Sequence, residues 1–303
     1  MRDRLRTLSL IATLVFLSGC GEKSTSTQKT FASAEDAVVE LVDAAKANDR
    51  ARLDALLGPD GQKIMSSGDP VADQQAREVF LAAYAERAEL VPEDGRTVLN
   101  VGNEDWPLPI PLVKDGDRWR FDTAAAADEI LFRRVGRNEL STIETCRKLV
   151  EVQREYASSG HDGKPKGAYA QKIISTAGKH DGLYWKSDDH ATASPLGDFA
   201  AQAATEGYTP GDKPQAFHGY FFRILTGRGA TASGGELNYV VNGEMRRGFA
   251  ILAYPAEYKN SGVMTFMVDD HGKVNEKDFG VDSPKLASEI RVFNPDSTWA
   301  ESE

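Results

Sequence analysis

Among the side chains able to do chemistry, five histidines come first: His161, His180, His190, His218 and His271. An imidazole titrates near neutral pH, so one held beside a carboxylate can take and return a proton. His218 opens an apolar stretch two residues before Tyr220, where it could share a surface with Asp181 or Glu257. Those four residues, His218, Tyr220, Asp181 and Glu257, make up the candidate surface site. The other four histidines lie in Gly- or Asp-rich loops, which predicts solvated rings. No His-x-x-x-His, Cys-x-x-Cys, Gly-x-Ser-x-Gly or phosphate-cradling glycine loop is present, so zinc, serine-hydrolase and nucleotide chemistry lack their usual sequence support. Asp188-Asp189-His190 and Asp269-Asp270-His271 carry metal-ligating types, but the second falls in a predicted hairpin turn. Neither has the oxygen-ligand spacing of a calcium loop. No catalytic residue, metal or cofactor is assigned from sequence.

The residue with the most definite chemistry is Cys20. The chain opens with the basic stretch Met1-Arg2-Asp3-Arg4-Leu5-Arg6 and runs through uncharged, mainly apolar residues from Leu8 to Leu17. That is the architecture of an export signal, and the run is about half the length needed to cross a bilayer. It ends in Leu17-Ser18-Gly19-Cys20, which resembles the bacterial lipobox. The motif implies acylation of the Cys20 sulfur, cleavage after residue 19 and an acylated amino terminus. Residues 20–30 are small and polar without apolar periodicity, as a flexible lipidated tether would be. The folded part is expected to start at Phe31.

Loss of residues 1–19 would leave 284 residues, enough for two domains. It would also leave 33 basic and 45 acidic side chains, a formal charge of −12. An acidic surface is repelled by phosphate backbones and anionic headgroups, which argues against nucleic-acid binding and leaves membrane affinity to the lipid. With Cys20 acylated, Cys146 has no disulfide partner. Ile143, Cys146 and Val150 fall on one helical stripe, so Cys146 reads as a small core residue. Trp106, Trp119, Trp185 and Trp299 are also expected in the core.

The elements that must position these residues are legible in the apolar spacing. Ala37, Val38, Leu41, Val42, Ala45, then Leu53, Leu56 and Leu57 predict two helices broken near Asn48-Asp49, with Ser33 as N-cap and Gly58-Pro59 as stop. A third helix is expected over residues 72–89. Segments 96–101, 108–113 and 118–122 read as strands, the prolines at 107, 109 and 111 confining the second to an edge. From Asp128 a short helix, a break near Gly136 and a long helix over 138–156 are expected. Strands follow at 218–225, 248–255 and 261–274, with a hairpin turn at 270–272. The reading is α+β: residues 31–127 as one domain and 128–303 as another, each with helices on a mainly antiparallel sheet.

Three resemblances arise from these stretches. The helices and the sheet ending in Asp117-Arg-Trp-Arg-Phe121 resemble a nuclear-transport-factor-two-like cone. Asn138 to Ala157, followed by Gly219-Tyr220, Ala253-Tyr-Pro255 and Ser261-Gly-Val-Met-Thr-Phe266, resembles the head of pilins and pseudopilins, although no hydrophobic half-helix precedes Asn138. Over residues 31–299, Ser67-Gly68-Asp69-Pro70-Val71, Trp106 to Pro111, Gly136-Arg-Asn138-Glu139, Asp181 to Trp185, Ser194-Pro-Leu-Gly197, His218-Gly-Tyr220, Tyr254-Pro-Ala-Glu257-Tyr258 and Gly262 to Phe266 resemble the bacterial family catalogued as domain of unknown function 2950. That resemblance implies a cell-envelope protein and no assigned activity.

The expected function is a membrane-anchored envelope lipoprotein serving as a non-enzymatic binding or scaffolding module, with the membrane and an envelope protein as partners. Gly21 rather than Asp after Cys20 favours the periplasmic leaflet of an outer membrane. Two alternatives stay open: a periplasmic hydrolase or small-ligand enzyme with a cleft near His218, and an accessory to pilus or type II secretion machinery.

Overall fold

In the computed structural model the described residues are 28–186, 193–208 and 215–302. Cys20, the export signal and Asp188-Asp189-His190 lie outside them. The chain is α+β. Helix α1 (Ala34–Lys46) begins where the Ser33 hydroxyl accepts the Asp36 N–H at 3.0 Å, and α2 (Arg50–Leu57) where Asp49 accepts from Arg52. Each cap satisfies an amide that the first helical turn leaves without a carbonyl. Between α2 and the next long helix lies a short one the sequence did not announce, α3 (Gly61–Met65). Helix α4 spans Pro70–Glu86, starting two residues earlier than expected because Pro70 suits the first helical position and Asp69 caps it. It stops at Glu86, and the next residues form an unforeseen strand, Ala88–Glu93.

That strand pairs with Arg96–Val101, which in turn pairs with Leu112–Asp115, and the last pairs with Arg118–Phe121. The expected edge strand over 108–113 is corrected here. The proline-rich stretch up to Pro111 forms no ladder beyond Trp106–Pro107, and the strand that follows it is an inner one. Helices α1 and α2 and this sheet enclose a core built on Phe31, Val42, Leu56, Leu99, Val101, Leu112 and Phe121. Ordered contacts start before Phe31: Gln28 Nε2 donates to the carbonyls of Leu56 and Phe121, and Phe31 forms a two-way bridge with Trp119.

Helix α5 runs unbroken from Thr123 to Ser158, so the break expected near Gly136 is absent and the expected boundary at 127/128 falls inside a helix. A Cβ built on Gly136 meets nothing within 4 Å. Strong helix formers on both sides carry the helix through its single-residue cost of about 1 kcal/mol. The amino-terminal end of α5 packs Ala127 and Ile130 on the first core, and its carboxy-terminal half buries Ile143, Cys146, Leu149, Val150 and Val152 in a second.

The second core rests on an antiparallel sheet ordered Tyr220–Leu225, Ala250–Pro255, Met264–Asp269, Val274–Asp278 and Ala300–Glu301. Its central strands are buried on both faces, as the continuous apolar run Ala250-Ile-Leu-Ala253 requires. A short parallel pair, Lys172–Ile174 with Gly182–Tyr184, and helices α6 (Gly197–Thr205) and α7 (Ser283–Glu289) complete this lobe. Cys146 is fully buried, and burial pushes its thiol up to about 12. Trp185 is buried, but Trp106 is half exposed, against the expectation that all four tryptophans sit inside. No helix among the described residues is long and apolar enough to cross a membrane.

Candidate functional site

The two lobes meet on the loop between α3 and α4. Asp69, almost completely buried, uses Oδ1 to cap α4 through the amides of Val71 and Ala72, both at 3.1 Å. Its Oδ2 accepts across the junction from the Tyr208 hydroxyl at 2.6 Å and the Gly219 amide at 3.0 Å. One carboxylate thus satisfies four donors from both lobes, the kind of arrangement that makes a buried charge tolerable. Beside it Arg134 Nη1 donates to the Ser66 carbonyl and to Asn260 Oδ1 at 2.6 Å, and Asn260 Nδ2 donates back to Ser66 O at 2.7 Å. The Glu257 side chain closes over Gly68, whose φ of +78° disfavours any side chain and where a Cβ would press on Glu257 at 3.0 Å.

Around the same point Glu139 Oε1 accepts the amides of Val263 and Met264, and Tyr220 donates its hydroxyl to Met264 O at 3.0 Å. Asn138 Nδ2 donates to Ser261 O at 2.9 Å. Four sequence stretches distant along the chain therefore converge here, those around Asp69, Asn138, His218 and residues 257–262.

His218 lies on this junction. Its ring is held from both nitrogens: Nδ1 by the Ser141 hydroxyl, and Nε2 by Glu206 Oε2 at 2.8 Å. Phe217 stacks on it at 4.1 Å between centroids, and Tyr208 approaches edge-on. The side chains of His218 and Glu206 are each 30% exposed, so the pair is within reach of solvent. The predicted companions differ. Tyr220 is fully buried rather than on a surface, where desolvation raises its hydroxyl well above the usual phenol range. Asp181 is bound elsewhere by Lys172 and Thr176. Glu257 reaches the junction but bonds Asn260 at 2.6 Å, with no hydrogen bond or ion pair to His218. The sequence reading missed Ser141 and Glu206.

Asp181 belongs to a cleft of about 160 Å³ in the second lobe, lined also by Tyr156, Ser159, His161, Lys164, Tyr169 and Lys172. Desolvation opposes the Asp181 charge, but its bonds from Lys172 and Thr176 outweigh that and hold its carboxyl near 2. His161, expected in solvent, is buried, stacked on Tyr156 at 4.2 Å with its edge toward Trp185. At the hairpin turn, donor atoms of Asp269, Asp270 and His271 lie within 4.8 Å of one another, His271 Nδ1 standing 3.1 Å from each carboxylate.

The family model described as protein of unknown function (DUF2950) matches residues 28–302. The chain belongs to the DUF2950 family. No curated protein and no solved structure matches it, and neither the pseudopilin-head nor the nuclear-transport-factor-two-like likeness gains support. In this DUF2950 chain the matched region takes in both lobes and the junction between them, so the family unit is the pair of lobes rather than either one.

Proposed function

We propose that this protein is a cell-envelope lipoprotein, tethered through a lipid on Cys20, whose globular body binds a small polar ligand close to the membrane. The observation that carries binding is the cleft beside His161. Its lining includes the aromatic rings of Tyr156, His161 and Tyr169, and the Lys164 ammonium, the Tyr169 hydroxyl and the Ser159 hydroxyl make no hydrogen bond among the described residues. Few precisely placed polar groups on an aromatic surface are what small-molecule sites present. A cleft of this size, open to solvent, suits a small polar group such as one sugar ring. The Lys164 ammonium, donor-only and uncommitted among the described residues, favours a ligand that brings an acceptor, either a sugar or a carboxylate.

The tether is supported by the uncharged apolar run up to Leu17, by the four residues ending in Cys20, and by an acidic body that anionic headgroups repel. Among the described residues Gln28 already contacts the body, and the small, polar composition of residues 21–27 suits a tether. Gly21 after Cys20 favours the periplasmic leaflet of an outer membrane. The binding test is amide NMR of the protein titrated with sugars and short peptides from envelope polymers. Expected are shifts confined to residues around Tyr156 and Tyr169 that vanish in Lys164→Ala; absence of such shifts with both classes overturns the binding assignment.

A further inference from the structure

We propose that Ser141, His218 and Glu206 form a hydrolytic site for carboxylic esters of small acyl groups at the junction of the two lobes. The hydrogen-bonded order is hydroxyl, imidazole, carboxylate. Glu206 Oε2 at 2.8 Å from Nε2 fixes the proton there, which leaves the Nδ1 lone pair facing the Ser141 Oγ–H. That is the arrangement in which a serine is activated by a base that a third group orients, here with the two ring nitrogens exchanged relative to the commoner arrangement.

Three features set this chain of bonds apart from ordinary packing. The first is Ser141 itself. Its neighbours Thr142 and Thr145 return their hydroxyls to helix carbonyls, at Asn138 O and Ser141 O, the usual resting place for such groups inside a helix. Ser141 instead turns its hydroxyl to the imidazole.

The second is the turn that carries the base. Phe217 and Tyr220 exchange two backbone hydrogen bonds, and the residues between them, His218 and Gly219, have φ of +47° and +78°. Such a turn favours Asn-Gly, and histidine, which also tolerates positive φ, takes the first central position here. Phe217 on the ring face and Glu206 on its edge then hold the imidazole toward Ser141.

The third is a donor for the charge that an attacked carbonyl develops. Asn138 lies three residues before Ser141 on the same face of α5. One hydrogen of its Nδ2 goes to Ser261 O, and the other makes no bond among the described residues. Gly219 lets the amide come this near, since a Cβ there would stand 2.6 Å from Nδ2. Phe217 and Phe199, 5.3 Å apart, give the acyl group an apolar wall, which favours esters of short fatty acids over charged amides.

The balanced sequence is as follows. Ser141 Oγ adds to the ester carbonyl carbon as its proton passes to His218 Nδ1. The bond to the alcohol oxygen breaks, and His218 returns the proton to the leaving alkoxide. Water, deprotonated by the same nitrogen, then cleaves the acyl-serine to free acid and serine, for a net reaction of ester plus water giving acid plus alcohol.

The test uses the full lipoprotein in detergent, a fluorophosphonate probe read by peptide mass, and hydrolysis of p-nitrophenyl butyrate. The expected results are a phosphonate adduct on Ser141, no adduct in Ser141→Ala, and a loss of about a hundredfold or more in ester hydrolysis for His218→Asn. His218→Asn is the informative variant because asparagine suits the turn: it should fold as the parent does, read by circular dichroism, while losing the labelling. A folded parent without an adduct on Ser141, or labelling that persists in folded His218→Asn, overturns the proposal.

Discussion

Replacing Asp69 with alanine should uncouple the two lobes. The carboxylate is almost wholly buried and accepts four hydrogen bonds, two from the first turn of α4 and two from Tyr208 and Gly219 in the other lobe. Loss of an Asp cap costs about 1 kcal/mol. Each bond to a charged acceptor contributes about 1.5–3 kcal/mol, and Asp69→Ala leaves the Tyr208 hydroxyl and the Gly219 N–H without their acceptor inside the junction. Partial filling by water brings the expected loss to about 4 kcal/mol, a fall in Tm of roughly 8–16 °C for a protein of this size. Calorimetry is the assay of choice, because the two lobes have separate cores and the junction joins them. The parent should melt in one transition and Asp69→Ala in two. A single transition within about 2 °C of the parent would refute the account of Asp69 as the lock between lobes.

Gly262→Ala drives a Cβ to 2.0 Å from the Tyr220 hydroxyl, so that ring must leave Met264 O; a loss of about 2–3 kcal/mol in urea denaturation is expected, and an unchanged midpoint would contradict the packing. Glu40 is held near 2 by its hydrogen bonds from Arg52 and Lys29. Its folded value lies below the ordinary carboxylate value, so its contribution is present above about pH 4.5 and fades as pH falls toward 2; Glu40→Gln should flatten that part of the stability profile, and carbon-detected NMR of the Glu40 carboxyl should read its titration directly. Cys146, with its thiol pushed up to about 12, should resist iodoacetamide at pH 8 in the native protein and react in denaturant; alkylation at the free-thiol rate without denaturant would show that the second core opens readily.

Local chemistry made parts of this fold legible from sequence. Ser33 and Asp49 cap where spacing places a helix start, and Arg96–Val101 and Arg118–Phe121 run close to the lengths their alternation implies. Helix α5 was read in two pieces because Gly136 is a local breaker, while its continuity depends on two lobes at opposite ends of one helix. Pro109 and Pro111 carry the signature of an edge, yet they only lead into an inner strand. His218 was visible as a candidate, but its partners were not. Ser141 stands 77 positions away and Glu206 stands 12 away, and nothing local ties either to the imidazole. The one available signal was Phe217-His-Gly-Tyr220, a turn sequence with histidine where asparagine is expected. Tyr220 was misplaced because an aromatic at a strand start reads equally as surface or core, and the bare Cα of Gly262, which admits its ring, lies 42 residues downstream.

The central claim is attachment through Cys20, and mass spectrometry of the protein extracted from its own membranes tests it most directly. The mature amino-terminal peptide should begin at Cys20 and carry a diacylglyceryl thioether with an acylated amine, and Cys20→Ser should leave an unprocessed or membrane-released protein. A mature chain starting at another residue, or an unmodified Cys20 in protein that still fractionates with membranes, would contradict the account.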